Sequence, residues 1–470
     1  MGMRHSTQAD RGLPRTDFRA QNSVNTVSTS SLQTTDSSAR STEGGASARP
    51  VNLDRSLAKL AAIFGSSNLI STGLQVVSGM LMTMAVTPAV LGTYNSVSLV
   101  LGYGPLLEAG VLHGLRRDLP FFIGKGDTNR SRELVATAQA WMWLVTGLGL
   151  VVVLALAAYF FVTKRGDIAA GLLAFMLPLG GTMMGRLFVG SLFRTGSDFR
   201  RLSWINVAIA VVGLPLVTLV WWFGYAGLCL RITLIWVVGS ALFYWLRPIK
   251  VRCKLRFSNL RVLLFTGLPI FAVGHLFALW PTINATLVLS YGGKESLGLF
   301  AIANMAGPIA TTFPLALASV VYPRMAQEYG RTGSVSTIAK LAIKPTFMTL
   351  AFTAVIVVAG WIAIPWVVEW LLPKYKQGIA AAQWTIASAL VVGLSPINNV
   401  FNVVKKQVRY ACAMIAGMGA YYATLRILLS DSLRLEAFPQ AMLVGRSVFM
   451  IICALMVWHL TRQPIRPSAQ

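Results

Sequence analysis

The stretch LGTYNSVSLVLGYGPLLEAGVLHGLRRDLPFFIGKGD, from Leu91 to Asp127, joins an apolar run to a basic loop. One carboxylate, Glu108, lies inside the apolar part, and clustered arginines follow it directly. A membrane span typically ends in this way on the cytoplasmic side, because Lys and Arg are concentrated in cytoplasmic loops. A carboxylate inside a span costs roughly 2.5 to 3.5 kcal/mol on insertion scales, so such residues are functional candidates. The stretch therefore predicts a membrane-spanning helix that carries a functional carboxylate.

The composition of the whole chain is that of a polytopic membrane protein. Of the 470 residues, 55% are hydrophobic and only 12% are charged, and the mean hydropathy is +0.63. One soluble core of this length would not bury so much apolar surface. The net charge of +25 would suggest nucleic acid as the partner of a soluble protein, but here Lys and Arg are dispersed between apolar runs. We therefore expect an all-α polytopic membrane protein and no nucleic-acid partner.

Twelve apolar runs are long enough to cross the bilayer, since about 20 residues span ~30 Å of hydrocarbon. They cover residues 58–86, 92–115, 136–162, 168–193, 203–223, 225–246, 262–290, 296–322, 341–368, 379–404, 408–429 and 440–461. If the N-terminus is cytoplasmic, Lys and Arg are several times more frequent in the inner loops than in the outer loops. This asymmetry predicts about 12 transmembrane helices, with both termini in the cytoplasm.

The ends and the midpoint of the chain differ from the spans. Residues 1–56 are rich in Ser, Thr, Ala, Gln and Arg, which predicts a disordered cytoplasmic tail, because such a segment buries too little apolar surface to offset its ordering entropy. The basic segment of residues 247–261 reads as a cytoplasmic linker between an N-lobe of residues 57–246 and a C-lobe of residues 262–461. Residues 462–470 are expected to form a cytoplasmic C-terminal tail.

The two halves resemble each other when positions 206 apart are compared. The matched pairs are Leu91 with Leu297, Gly92 with Gly298, Tyr94 with Phe300, and Gly124 and Lys125 with Gly330 and Arg331. Transporters built from parallel repeats place their substrate site where the repeats meet. The repeat therefore predicts two six-helix lobes with a site between them.

Charged and titratable residues inside the spans are the candidates for that site, because a polar substrate needs polar groups at membrane depth. They are Glu108, Arg186, Arg231, His275, Arg426 and Arg446. Most are arginines, which bind phosphate or carboxylate oxygens with paired hydrogen bonds, so an anionic substrate fits them better than a cationic one. Three of them, Arg231, Arg426 and Arg446, lie near predicted outer ends and also fit snorkelling to the headgroups.

A second group of candidates lies at the predicted cytoplasmic face. Arg116, Arg117 and Lys125 follow the positive-inside rule, and they are also candidates for capturing lipid diphosphate headgroups. His113 lies close to the same boundary. His275 fits either a packing histidine or a titrating residue that lines the site.

The sequence contains no motif of an enzyme or of a metal site. There is no P-loop, no G-x-S-x-G and no zinc motif, and Cys229, Cys253, Cys412 and Cys453 are scattered without ligand spacing. We therefore expect a transporter that does not convert its substrate chemically, with no catalytic residue, no metal and no cofactor. Coupling to a proton or sodium gradient is left open.

Three motifs resemble those of the polysaccharide-biosynthesis flippases. These O-antigen and exopolysaccharide translocases export lipid-linked oligosaccharides and belong to the superfamily that also holds multidrug and toxin extrusion proteins. The motifs are LLEAGVLHGLRRDLPFFIGKGD, which ends at Asp127, the segment from Leu287 to Met325, and LLPKYKQGIAAA from Leu371 to Ala382. The resemblance covers about residues 57–461, whereas the long N-terminal tail departs from the family pattern.

The resemblance implies a V-shaped pair of six-helix lobes in a bacterial inner membrane. Such a protein opens its central cavity alternately to each face and moves an undecaprenyl-diphosphate-linked saccharide, a precursor of surface polysaccharide, to the outer leaflet. The implied partners are this substrate, membrane lipids, and the polymerase and glycosyltransferases of the same pathway.

Two alternatives stay open. A multidrug-type cation antiporter would be expected to carry more buried carboxylates than Glu108 alone. A membrane-embedded glycan polymerase or ligase would be expected to carry a large outer loop with catalytic residues, and the outer loops of this chain are short.

Overall fold

The computed structural model describes residues 53–195, 198–404, 406–430 and 432–462. Within these residues the regular secondary structure is helical throughout, with no strand. This confirms the predicted all-α class. The predicted tails lie outside the described residues, except that the first helix begins at Leu53 and the last ends at Arg462.

The described residues of the N-terminal half contain eight helices. Their bounds are α1 Leu53–Ala85, α2 Pro88–Tyr103, α3 Val111–Gly124, α4 Thr128–Val162, α5 Gly166–Gly180, α6 Gly190–Thr195, α7 Phe199–Gly213 and α8 Thr218–Trp245. A 3₁₀ turn, Gly104–Glu108, connects α2 to α3, and a π-helix, Gly181–Val189, connects α5 to α6.

The described residues of the C-terminal half contain seven helices. Their bounds are α9 Phe257–Leu299, α10 Ala301–Thr332, α11 Val335–Leu371, α12 Ile379–Val392, α13 Ser395–Val403, α14 Gln407–Leu428 and α15 Ala437–Arg462. Helix α9 bends by 53° between Phe257–Ala272 and Gly274–Leu299, and its backbone leaves the helical conformation at Gly293.

The described helices fit the predicted count of about twelve spans. Length and hydropathy alone qualify seven helices of this part of the chain, or nine when each of two bent pairs is taken as one span. The segment from Phe199 to Trp245 supplies two crossings, because it reverses at Gly224 and brings Gly213 against Arg231. The remaining spans are α1, which packs against α10, and the α2–α3 pair, which packs against α9.

The predicted linker of residues 247–261 overlaps helix α9, which begins at Phe257 and buries Asn259 and Leu260 in its first turn. Its role as a linker between lobes stays a prediction. The remaining linker is attached to α4. The Lys254 N–H donates to the Ala136 carbonyl at 3.4 Å, and Arg256 forms an ion pair with Glu133.

A reciprocal backbone contact, which we call the glycine crossing, joins α2 to the end of α9. A Cβ atom at Gly92 would lie 1.7 Å from the Lys294 carbonyl oxygen, and one at Gly298 would lie 1.8 Å from the Pro88 carbonyl oxygen. Pro88 and Lys294 are 206 positions apart, as are Gly92 and Gly298. The sequence repeat therefore recurs in space as a pair of equivalent contacts, and only glycine allows the backbones to approach so closely.

Two polar contacts join the same parts of the two halves near the glycine crossing. The Lys294 ammonium lies 3.0 Å from a carboxylate oxygen of Asp167, at the start of α5. The Tyr375 hydroxyl donates to the Val86 carbonyl oxygen at 3.1 Å. This end of the bundle is therefore held closed by backbone packing, a hydrogen bond and an ion pair.

We predict that Gly92→Ala lowers the free energy of unfolding by about 1–3 kcal/mol or more, because the added methyl group overpacks the glycine crossing. Gly147→Ala is the matched control, since no atom lies within 4 Å of its added Cβ. The measurement is the thermal unfolding midpoint of each purified variant in detergent. Equal midpoints for Gly92→Ala and the wild type would show that the crossing opens without cost.

Candidate functional site

The second span is broken beside Glu108, where the sequence predicts a continuous helix. After the 3₁₀ turn, Ala109 (φ 50°) and Gly110 (φ 87°) both adopt the left-handed conformation before α3 begins. The indole N–H of Trp141, on α4, donates to the Glu108 carbonyl oxygen at 3.1 Å. The indole of a neighbouring helix thus provides a hydrogen bond for a carbonyl group at the break. Such a partner is needed inside the bilayer, where no water is available.

Helix α9 approaches this break closely. A Cβ atom at Gly110 would lie 2.8 Å from the carbonyl carbon of Gly267, and one at Gly114 would lie 2.2 Å from the Leu263 carbonyl oxygen. The two halves therefore touch through backbone atoms here as well as at the glycine crossing. This contact places residues of α9 next to Glu108.

Glu108, His113 and His275 form what we call the Glu–His–His cluster. The Glu108 side chain is only 2% exposed, and its Oε1 lies 3.2 Å from His113 Nδ1. One ligand-type atom from each of the three residues lies within 4.8 Å of the other two. The structure thus brings Glu108 and His275, two candidates named from the sequence, together from different halves, and adds His113 from the predicted membrane boundary.

Aromatic packing orients the two imidazoles. The His275 ring lies over Phe271 with centroids 3.9 Å apart, and the His113 ring meets Phe271 edge-on at 5.8 Å. The two histidine rings are 5.9 Å apart in a T-shaped arrangement. Since Phe271 is itself buried, the cluster sits on a fixed apolar support.

Three arginines, Arg116, Arg186 and Arg194, form what we call the arginine group, and Arg116 connects this group to the cluster. Arg116 donates from Nε to Ser191 Oγ at 2.8 Å and lies within electrostatic reach of Glu108. Arg194 lies within electrostatic reach of both Arg116 and Arg186. The sequence identifies Arg116 and Arg186 as candidates, but it places Arg194 in a loop. An arginine in a loop carries no sequence signal of the residues that it approaches in space.

Arg186 lies on the π-helix between α5 and α6. The glycines of this π-helix pack against α8: a Cβ atom at Gly181 would lie 2.6 Å from Ser240 Oγ, and one at Gly185 would lie 3.2 Å from the Phe243 ring. Arg186 is exposed on this segment, which also contacts the 3₁₀ turn that carries Glu108. Isolated π-helical turns are frequently found at functional sites.

The other candidate arginines lie elsewhere. Arg231 donates to Ser78 Oγ at 2.6 Å and to the Gly213 carbonyl at 3.3 Å, so it joins α8 to α1 and α7. Arg446 donates to Ser388 Oγ at 2.9 Å and connects α15 to α12. Arg426 is exposed and donates to the Tyr291 hydroxyl at 3.4 Å. Their predicted contact with substrate stays a prediction.

The predicted headgroup residues are spread along α3 and its end. Arg116 belongs to the arginine group, whereas Arg117 is exposed and within electrostatic reach of Asp118. The Lys125 ammonium lies 4.6 Å from the centroid of the Phe121 ring. Capture of headgroups by Arg117 and Lys125 therefore stays a prediction.

We predict opposite effects of two neighbouring substitutions at the helix break. Ala109→Gly should raise the thermal unfolding midpoint, because a left-handed Ala costs roughly 1–2 kcal/mol that Gly does not. Gly110→Ala should lower it, because it adds that cost and also a contact with Gly267. The measurement is thermal unfolding of both purified variants. A lower midpoint for Ala109→Gly than for the wild type would contradict the left-handed backbone at residue 109.

The chain matches no protein-family model and no curated protein in sequence. It is similar to solved structures, among them an inward-facing conformation of a multidrug resistance MATE family transporter of the MOP superfamily, at 14% identity and a TM-score of 0.67. That match covers 86% of this chain and 99% of the transporter.

Two further solved structures share this likeness. An outward-facing conformation of a multidrug resistance MATE family transporter matches with a TM-score of 0.53 at 15% identity, over 86% of this chain and 97% of the other. A MOP superfamily transporter from Pyrococcus furiosus, described as having a binding pocket of reverse polarity, matches with a TM-score of 0.56 at 15% identity over the same shares. The chain therefore has the two-lobed, all-helical fold of the MATE transporters.

Proposed function

We propose that this chain is an integral-membrane exporter that moves an anionic, lipid-linked saccharide from the cytoplasmic to the outer leaflet by alternating access. The fold supports the transporter class. The observation that carries the substrate class is the arginine group, in which Arg194 lies within electrostatic reach of both Arg116 and Arg186, and Arg116 also lies within reach of the carboxylate of Glu108.

The arginine group needs negative charge that the protein does not supply. Among the described residues, neither Arg186 nor Arg194 forms an ion pair, and the charge of Glu108 already faces His113. The guanidinium group of Arg194 is repelled by those of Arg116 and Arg186, and such repulsion is stronger where the dielectric constant is low. A diphosphate would offset this repulsion and accept paired hydrogen bonds from arginine.

The closed end of the bundle supports an inward-facing arrangement. The glycine crossing, the ion pair of Lys294 with Asp167 and the hydrogen bond from Tyr375 all join the halves at that end. The TM-score is also higher with the inward-facing transporter, 0.67, than with the outward-facing one, 0.53. Outward opening would have to break these contacts.

In this proposal the membrane is the bacterial inner membrane and both termini are cytoplasmic, as the distribution of Lys and Arg indicates. The substrate is a surface-polysaccharide precursor on an undecaprenyl diphosphate carrier. The expected partners are membrane lipids and the polymerase and glycosyltransferases of the same pathway.

A cation antiporter of the multidrug type is the second candidate. The observation that favours it is Glu108, a buried carboxylate beside two histidines, which is a suitable place to exchange a proton for a cationic substrate. The two proposals differ in what they require. The exporter of anionic saccharides needs the arginine group, whereas the cation antiporter needs the charge of Glu108.

We predict that Arg186→Ala reduces export about tenfold or more, because hydrogen bonds to charged groups contribute roughly 1.5–3 kcal/mol each. The measurement is surface glycan in a strain that lacks its own flippase and expresses the variant at wild-type level in the membrane. Arg201→Ala is the matched control, because Arg201 is exposed, pairs with Asp198 at the start of α7 and is not a candidate for the site.

A reconstituted assay separates the two candidates. Purified protein in liposomes is offered a diphosphate-linked lipid saccharide or a cationic dye, with and without a proton gradient. Movement of the saccharide that fails in Arg186→Ala supports the proposal. Dye transport that fails in Glu108→Gln and persists in Arg186→Ala would reject it in favour of the antiporter.

A further inference from the structure

We propose that Glu108, His113 and His275 form a binding site for a divalent transition-metal ion of the Zn²⁺ class. The sequence predicts no metal site, because the two histidines are far apart along the chain and no ligand motif links them. The site goes beyond the proposed transport function, and its existence does not depend on that function.

The ligand set fits Zn²⁺. Two imidazoles and one carboxylate form a common three-residue zinc site, which leaves a fourth position open. Bond lengths of about 2.1 Å in a tetrahedral site place neighbouring ligand atoms about 3.4 Å apart. Glu108 Oε1 and His113 Nδ1 are already 3.2 Å apart, and one ligand-type atom of each of the three residues lies within 4.8 Å of those of the other two. A side-chain shift on the order of 1–2 Å completes the geometry.

Two buried polar atoms at the cluster point to a ligand. Glu108 Oε2 has no hydrogen-bond partner among the described residues, and His113 Nδ1 lies 3.2 Å from Glu108 Oε1 without the geometry of a hydrogen bond. Buried polar atoms are normally paired, so each unpaired one requires an explanation. A cation bound between the carboxylate and the imidazoles would satisfy both atoms and compensate the buried negative charge.

Arg116 is the charge that opposes metal binding. It lies within electrostatic reach of both Glu108 and His275. Its Nε donates to Ser191 Oγ, which belongs to α6 and not to the cluster. We therefore expect Arg116 to weaken the site without occupying it. The substitution Arg116→Gln should tighten metal binding severalfold.

The site would join the two halves of the protein. Glu108 and His113 lie on either side of the helix break in the N-terminal half, and His275 lies on α9 in the C-terminal half. A metal bound to all three residues would hold α3 against α9. This consequence rests on the proposed function: Zn²⁺ would inhibit transport by preventing the halves from separating here.

The test uses the full chain, purified with an affinity tag other than polyhistidine. It is titrated with Co²⁺, whose visible absorption intensifies in a four-coordinate site, and then with Zn²⁺ as competitor. The wild type should bind one Co²⁺ per chain. Glu108→Gln and His275→Ala should each raise the Kd about tenfold or more, since even the loss of a supporting group weakens metal sites 10- to 100-fold.

The chain offers a matched control in His459, which is not one of the three residues of the cluster. Its substitution to Ala should leave the Kd unchanged. Size-exclusion profiles and unfolding midpoints of all variants show that each is folded. No saturable Co²⁺ band in the wild type would overturn the proposal, as would an unchanged Kd in both Glu108→Gln and His275→Ala. These outcomes are read without a transport assay, so they are separate from a failure of the proposed function.

Discussion

The close backbone contact between α2 and α9 is the constraint on which the rest of the site depends. Lipid tails are as apolar as the helices, so burial of apolar surface does not drive helices together in a bilayer, and tight packing has to do so. At the glycine crossing, each helix contributes a glycine against which a carbonyl oxygen of the other helix packs. Any larger residue at these two positions would clash with that oxygen. The pairing of α2 with α9 in turn brings Glu108 and His113 opposite His275.

The sequence predicts the fold class well because hydropathy and loop charge depend directly on the membrane. The repeat is also visible in the sequence, since Gly92 and Gly298 are required by the same packing. The helix break at Glu108 is different. Residues on both sides of it remain apolar, so hydropathy does not distinguish a broken span from a continuous one. Only the pairs Gly104–Pro105 and Ala109–Gly110 hint at it.

The site is less predictable than the fold because its contacts are tertiary. His113 and His275 belong to different halves, and nothing in the spacing of residues indicates that they meet. Conversely, Arg231 qualifies as a candidate because it is a charged residue inside a span, but its guanidinium group donates hydrogen bonds to Ser78 and Gly213. Position inside a span shows that a charged side chain needs a partner. It does not show whether that partner is another residue of the protein or the substrate.

The bend in α9 has a consequence for how the halves could move. The helix is attached to α4 next to its start, through Arg256, and to α2 near its end, through the glycine crossing. Its 53° bend lies between these two attachments, directly before His275. A helix fixed at both ends changes its length between them mainly by straightening or bending. Any such change would move His275 toward or away from Glu108. The distance between these two side chains would therefore report how strongly α9 is bent.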